Sequence, residues 1–270
     1  MRWLLALAAC VVACSAVVKV ELDLRASQRR EHAKEGGKRK KRARGTLPAY
    51  HKGMHEKEYL QCIPPDELKL VRLLLRVVGQ RRGIGAPFDT PAQSDVVWAR
   101  VIEAARSPEG GGWTDAFAAA DLTENRLRKL AAVVDGQLLG GQLSRGALKR
   151  GLPQLGFSVD EEAEGSGDWI SYYDDGPNAI HLLRSKWSQD VSESRPMVCE
   201  SVLCTSRLQV LAHTLAHEMV HALVCVRWPG IDRSSSAYLP DDRHGPIFRL
   251  LNRALFGHTC DSYRHVFGPA

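Results

Sequence analysis

The fold of this chain is constrained most tightly by the heptapeptide LAHEMVH, residues Leu215 to His221. Residues four apart lie on one face of an α-helix, so His217 and His221 can approach the same metal ion. Glu218, next to the first histidine, is placed to take a proton from a water at that metal rather than to bind the metal itself. The spacing therefore predicts a catalytic zinc site in which Glu218 is the general base.

The heptapeptide belongs to a long apolar segment that predicts a helix from Ser206 to Val226. Ser206 and Gln209 have the spacing of a capping box at its N-terminus. Apolar residues then recur at helical intervals, at Leu208, Leu211, Leu215, Met219 and Leu223. Because the other faces are also mostly apolar, we expect the helix to be buried, where polar side chains need partners. A bound metal would be such a partner for the two histidines.

An open catalytic zinc site has three protein ligands and a water, so a third ligand must come from elsewhere in the chain. Val224 and Arg227 stand where a metzincin requires glycine and histidine, which excludes that class. No glutamate follows His221, so a downstream glutamate cannot be the third ligand. The remaining candidates are histidines and aspartates, namely His244, His258, His265, Asp232, Asp241, Asp242 and Asp261.

His244 is the strongest of these candidates because it directly precedes a second predicted helix. Pro246 at the start and Gly257 just past the end delimit that helix. The polar, turn-rich connection 228–243 is long enough to reverse the chain and return His244 to the first helix. His258 and His265 lie beyond the second helix and would need another reversal.

Four segments carry a resemblance to the SprT-like zinc metalloproteases. Thr214–Ala222 (TLAHEMVHA) is similar to that family's T-L-x-H-E-M-x-H-A, and His244–Phe248 (HGPIF) is similar to its H-G-x-x-F. Upstream, Leu138–Leu143 (LLGGQL) resembles F-F-x-G-x-L with leucines in place of the aromatic residues. Ala179–Leu182 (AIHL) lies where a family strand precedes the active-site helix. The resemblance covers residues 122–257.

The resemblance implies a set of roles for individual residues. His217, His221 and His244 would be the zinc ligands, and Glu218 would be the catalytic acid and base. It also implies a protein substrate, since members of the family cleave proteins, some of them crosslinked to DNA. The fold implied is a zincin-type metallopeptidase domain.

We therefore predict an α+β fold whose metallopeptidase domain spans residues 113–270. A helix is predicted at Leu122–Gly136, followed by strands near Phe157, at Ile170–Tyr173 and at Ala179–Leu183. These strands are expected to form a small antiparallel sheet on which the helices pack.

An additional helical section is predicted at residues 61–112, before the metallopeptidase domain. It consists of Leu- and Val-rich helices at Pro65–Arg81 and at Ser94–Arg106, where Ser94 can cap. Gly110–Gly112 is predicted to be a hinge or linker between this section and the domain. No catalytic residues are predicted in this section.

The first 18 residues predict a signal peptide or signal anchor. Residues 3–18 carry no charge, and small residues at positions 13, 15 and 16 offer cleavage sites. The run is short for a transmembrane helix, so no stable membrane span is expected after signal removal. The location favoured is the secretory pathway or the extracellular space.

Residues 19–60 are predicted to be a basic, disordered linker. Within it, Arg29–Arg44 contains nine bases and two acids, whereas the whole chain has a net charge of +6. Such a run can bind nucleic acid or an anionic membrane, and 38–42 alone would suggest a nuclear location as the alternative. The residues from Gly45 onward sum to a small negative charge, so the predicted catalytic part has no net positive field for DNA.

Two functions from different classes follow from these observations. The first is a zinc endopeptidase in which Glu218 moves the proton during peptide hydrolysis. The alternative is a non-catalytic, zinc-stabilised adaptor that binds nucleic acid or anionic membrane through its basic segment. The presence of Glu218 favours the endopeptidase, because a structural zinc site needs ligands and no base.

A few further residues are candidates for supporting roles. His213, one turn before His217, is predicted to be an ordinary, partly exposed histidine, with a role behind the metal ligands as the alternative. Arg243 and Tyr238 could each stabilise the oxyanion of peptide hydrolysis. Cys199 and Cys204 are the favoured disulfide pair if the compartment is oxidising.

Overall fold

The computed structural model describes the backbone and side chains of most of the chain from residue 60 onward. The described ranges are 60–82, 91–161, 170–228, 244–258 and 263–265, with the backbone alone described at 82, 91–92 and 263–265. The predicted signal segment 1–18 and basic run 29–44 therefore lie outside the described residues.

The described residues form six α-helices. Their bounds are α1 Pro65–Arg82, α2 Pro91–Arg106, α3 Glu124–Gln137, α4 Gln142–Lys149, α5 Arg207–Arg227 and α6 Pro246–Phe256. Short 3-10 turns lie at Leu60–Cys62, Ala119–Asp121 and Arg184–Ser188. Each helix predicted from the sequence is present, with ends displaced by three residues or fewer. Within the described part of the chain, no helix has the length and apolar character needed to cross a bilayer.

The strands form two small sheets. The first contains β1 Gly156–Asp160, β2 Ser171–Asp174 and β3 Ala179–Leu183 in the order β1-β3-β2. The second contains β4 Met197–Cys199, β5 Val202–Cys204 and β6 Tyr263–His265 in the order β5-β4-β6. The α+β class predicted from the sequence is confirmed.

The prediction of one small antiparallel sheet was wrong in its pairing. β2 and β3 form an antiparallel pair, but β1 runs parallel to β3, with Phe157 opposite Ile180. The first sheet is therefore mixed, and the antiparallel β4, β5 and β6 form a second one. Side chains alternate along a strand in the same way whatever the direction of its neighbour, so the sequence pattern could not distinguish these pairings.

Helix α5 begins where the sequence predicted, and its first turn is stabilised by Ser206. The hydroxyl of Ser206 accepts the backbone N–H of Gln209 at 3.2 Å, as an N-cap residue does. The predicted capping box is only half formed, because Gln209 Oε1 accepts the N–H of Thr205 at 2.6 Å. Almost the whole helix is buried, including every residue from Val210 to Val220.

The predicted N-terminal section and the predicted metallopeptidase domain share one hydrophobic core. Trp98 of α2 donates its indole N–H to the carbonyl of Phe256, the last residue of α6, at 3.0 Å. The glycines 110–112 form a tight turn against the end of α2 rather than an extended linker. Trp113 N–H is bonded to the carbonyl of Ala105, and a Cβ on Gly110 would lie 2.0 Å from the carbonyl oxygen of Ala104.

Candidate metal centre

Three histidines from two helices converge at one point. His217 and His221 are one turn apart on α5, and His244 lies two residues before α6. One nitrogen from each ring can be chosen so that all three lie within 4.8 Å of one another, and Nε2 of His217 is 3.1 Å from Nε2 of His244. The structure thus brings together the three histidines that the sequence singled out.

The donor set fits a metal ion. Neutral imidazole is a common ligand for zinc, with a Zn–N distance of about 2.0–2.1 Å. Two nitrogens on one tetrahedral zinc are then about 3.3–3.4 Å apart, close to the 3.1 Å between His217 and His244. His217 is buried, and the other two rings are partly exposed, which leaves the cluster open on one side. The cluster can hold a metal ion with a position left for another ligand.

Phe248 fixes the relative positions of the three imidazoles. Its ring centroid lies 4.9 Å from that of His217, 4.3 Å from that of His221 and 4.6 Å from that of His244. Phe248 is fully buried, and it lies one helical turn after His244 in the chain. The backbone of His244 is held in turn by Arg249, whose Nε donates to its carbonyl at 3.0 Å. The H-G-x-x-F spacing therefore places Phe248 where it packs against all three imidazoles.

Glu218 lies beside the histidines without belonging to the group of converging ligand atoms. Its Oε1 accepts the hydroxyl of Ser171, on β2, at 2.7 Å. Burial raises the pKa of Glu218, although the neighbouring His217 and the hydrogen bond from Ser171 act in the opposite direction. A carboxylate with a raised pKa is a better proton acceptor than an ordinary surface glutamate.

Glu200 is a residue of the site that the sequence analysis missed. It lies in the two-residue turn between β4 and β5, and its side chain is completely buried. Its Oε1 is 3.0 Å from Nδ1 of His217, and its Oε2 accepts Nδ2 of Asn252 at 3.1 Å. The signal for such hairpins is Asn-Gly or Asp-Gly, so a Glu-Ser pair does not mark this turn in the sequence.

A chain of buried polar groups continues from Asn252. Its Oδ1 is 3.0 Å from Nδ1 of His258, and Nε2 of His258 is 2.8 Å from Nδ1 of His213. Burial lowers the pKa of His213 to about 3 and, together with the neighbouring imidazoles, lowers that of His258 well below its usual value. Both rings are therefore neutral. The ring of Trp98 covers His213 at a centroid distance of 3.8 Å.

Two expectations about these histidines are corrected. His213 was predicted to be partly exposed, but it is buried, because α2 packs Trp98 against it. His258, one of the candidates for the third ligand, is bonded to His213 and Asn252 rather than to the converging group. The reason is the left-handed turn at Gly257, φ 76°, which ends α6 and directs the chain toward α2.

The upstream motif at Leu138–Leu143 supports the far end of α5. Gly141 precedes α4 with φ 71°, and the buried carboxylate of Asp135 accepts two backbone N–H groups from the first turn of α4 at 3.0 and 3.1 Å. Arg227, the last residue of α5, donates to the carbonyl of Gln142 at 2.9 Å. The motif therefore positions helices and contributes no ligand.

Cys199 and Cys204 are free thiols in this structure, and the disulfide predicted for an oxidising compartment is not formed. In the β4–β5 hairpin Cys199 lies opposite Val202 and Cys204 opposite Met197, and the two thiols are hydrogen-bonded to each other. Burial is the main reason that the pKa of Cys199 is well above its usual value. Such a thiol is a small apolar core residue rather than a nucleophile.

The other predicted site residues lie outside the described side chains. These are Tyr238 and Arg243, the two oxyanion candidates, and the third-ligand candidates Asp232, Asp241, Asp242, Asp261 and, apart from its backbone in β6, His265.

No protein-family model, curated protein or solved structure matches the chain. The resemblance to the SprT-like metalloproteases therefore stays a prediction that rests on the motifs.

Proposed function

We propose that this protein is a zinc-dependent endopeptidase that hydrolyses peptide bonds and resembles the SprT-like proteases. The observation that carries the proposal is the position of Glu218, a buried carboxylate next to three converging imidazoles but outside the ligand group. Burying a carboxylate is costly, and a structural metal site needs ligands but no base. A hydrolytic site needs a base in that place.

Each residue has a distinct task in this proposal. His217, His221 and His244 would hold the zinc, which when bound supplies Lewis acidity toward a water and a peptide carbonyl. Glu218 accepts a proton as the water attacks the carbonyl carbon and returns it to the amine that leaves. The hydroxyl of Ser171 donates a hydrogen bond to Oε1 of Glu218 at 2.7 Å and so fixes the orientation of the carboxylate.

In this proposal the substrate would lie along β2. Among the described strands, β2 is paired only with β3, so its other backbone edge has no strand partner within the described residues. Ser171 is the first residue of β2 and contacts Glu218, which brings this edge to the site. An extended peptide can pair with such an edge through main-chain hydrogen bonds, largely independently of its side chains. This arrangement suits an endopeptidase with an extended, unfolded segment as substrate.

The test is the substitution Glu218→Gln, which keeps the size of the side chain and removes the base. We expect zinc content and thermal stability to change little, while turnover falls by about 10² to 10⁴ and KM stays near the wild-type value. Casein cleavage and self-cleavage should both be measured, with and without DNA. The matched control is Glu193→Gln, which makes the same charge change at an exposed position and should leave turnover unchanged.

The outcomes separate the two functional classes. Equal activity in wild type and Glu218→Gln would contradict the assigned base. If the wild type holds zinc but cleaves nothing in any of these assays, the zinc-stabilised adaptor would replace the endopeptidase.

A further inference from the structure

The turn between β4 and β5 holds its residues in a conformation that L-amino acids rarely adopt. Glu200 has φ 53° and Ser201 has φ 69°, the combination found in tight two-residue hairpin turns. Glycine and asparagine adopt this conformation readily, whereas a glutamate is strained there. Backbone strain of this kind costs free energy that the surrounding structure must offset. It is found most often at functional sites.

The side chain of Glu200 adds a second cost, because its carboxylate is completely buried. Its two oxygens contact side chains on two different helices. Oε1 is 3.0 Å from Nδ1 of His217 on α5, and Oε2 accepts Nδ2 of Asn252 on α6 at 3.1 Å. The carboxylate therefore joins the helix that carries two of the predicted ligands to the helix that follows the third.

The direction of the hydrogen bonds fixes where the protons lie. Because Asn252 donates its amide N–H to Glu200, its Oδ1 accepts Nδ1–H of His258. The neutral His258 ring then accepts at Nε2 from Nδ1–H of His213. Every hydrogen bond in this chain runs toward Glu200. The other oxygen of Glu200 lies 3.0 Å from Nδ1 of His217, so one side chain receives the chain of bonds from His213 and also faces the ring of His217.

We propose that Glu200 is a positioning residue for the metal centre: its Oε1, which lies 3.0 Å from Nδ1 of His217 without hydrogen-bond geometry in this structure, accepts Nδ1–H of that ring when the metal is bound and so directs Nε2 to the metal. The inference rests on the proposed function, since it concerns the same metal centre. Carboxylates behind metal-bound histidines orient the ring and strengthen it as a ligand. The strained turn has a function in this account, because it places a buried carboxylate against His217 on α5.

The first test is the zinc affinity of Glu200→Gln, measured by competition with a chromophoric chelator. We expect the dissociation constant to rise by about 10- to 100-fold relative to wild type. The matched control Glu193→Gln, at an exposed position, should bind zinc as the wild type does. The circular dichroism and Tm of the zinc-free proteins show whether the variant is folded.

The second test needs no variant and is decisive if Glu200→Gln does not fold. Long-range proton–nitrogen NMR correlations of the zinc-loaded wild type report which ring nitrogen of His217 carries the proton. We expect a proton on Nδ1 and zinc on Nε2. Zinc on Nδ1, or an unchanged zinc affinity in folded Glu200→Gln, would overturn the role of Glu200 and leave the proposed function standing. A wild-type protein that binds no zinc would overturn both.

Discussion

At the scale of residues, His244 is the predicted ligand whose position depends most on contacts between helices, because it does not share a helix with the other two imidazoles. Its position depends on Phe248, against which all three rings pack, and on Arg249, which holds its carbonyl. Both contacts come from the first turn of α6. The position of His244 is therefore fixed by the element that follows it, rather than by the residues that precede it.

We expect His244→Ala to lose most of the bound zinc, because only two protein ligands, the imidazoles of His217 and His221, would remain. The measurement is zinc per chain by elemental analysis after gel filtration. His181→Ala is the matched control, since His181 contacts Asp160 and Tyr172 on the first sheet and does not belong to the group of three converging histidines. Normal zinc binding by His244→Ala would show that another residue is the third ligand.

At the scale of elements, the contact between α4 and α5 keeps the helix that carries His217 and His221 in place. Gly146 of α4 lies so close to the end of α5 that a Cβ there would be 2.7 Å from Cγ1 of Val226. Val226 is buried and its side chain is stiff, so it cannot move aside cheaply. The helices can approach this closely only because residue 146 is a glycine.

We expect Gly146→Ala to lower the free energy of unfolding by about 1–3 kcal/mol through overpacking. Gly136→Ala, in the exposed last turn of α3 with open space around it, should raise that free energy by about 0.5–1 kcal/mol, the usual helix gain. Urea denaturation of both variants checks this contrast in sign. Equal stabilisation of the two proteins would refute the close approach of α4 and α5.

At the scale of the whole molecule, the features predictable from sequence are those with local causes. The bounds of α5 follow from the cap at Ser206 and an unbroken apolar pattern, and those of α6 follow from Pro246 and Gly257. The convergence of His217 and His221 follows from helical spacing alone. His244 was the favoured third candidate, and it lies beside the other two imidazoles.

The features that could not be predicted depend on contacts between distant segments. The residue pattern of neither strand distinguishes the parallel pairing of β1 with β3 from an antiparallel one. Glu200 reaches His217 only because a hairpin turn and α5 pack together, and His213 is buried by Trp98, more than 100 residues earlier in the chain. Residues that support the ligands are therefore harder to find from sequence than the ligands themselves.

The central claim is that three histidines from α5 and the start of α6 hold one zinc ion with a position left for water. X-ray absorption at the zinc edge of the wild-type protein, purified without added metal, tests it most directly. The account predicts three imidazole nitrogens and one further light atom at about 2.0–2.1 Å. A sulfur ligand at about 2.3 Å, fewer than three imidazoles or a protein without zinc would contradict it.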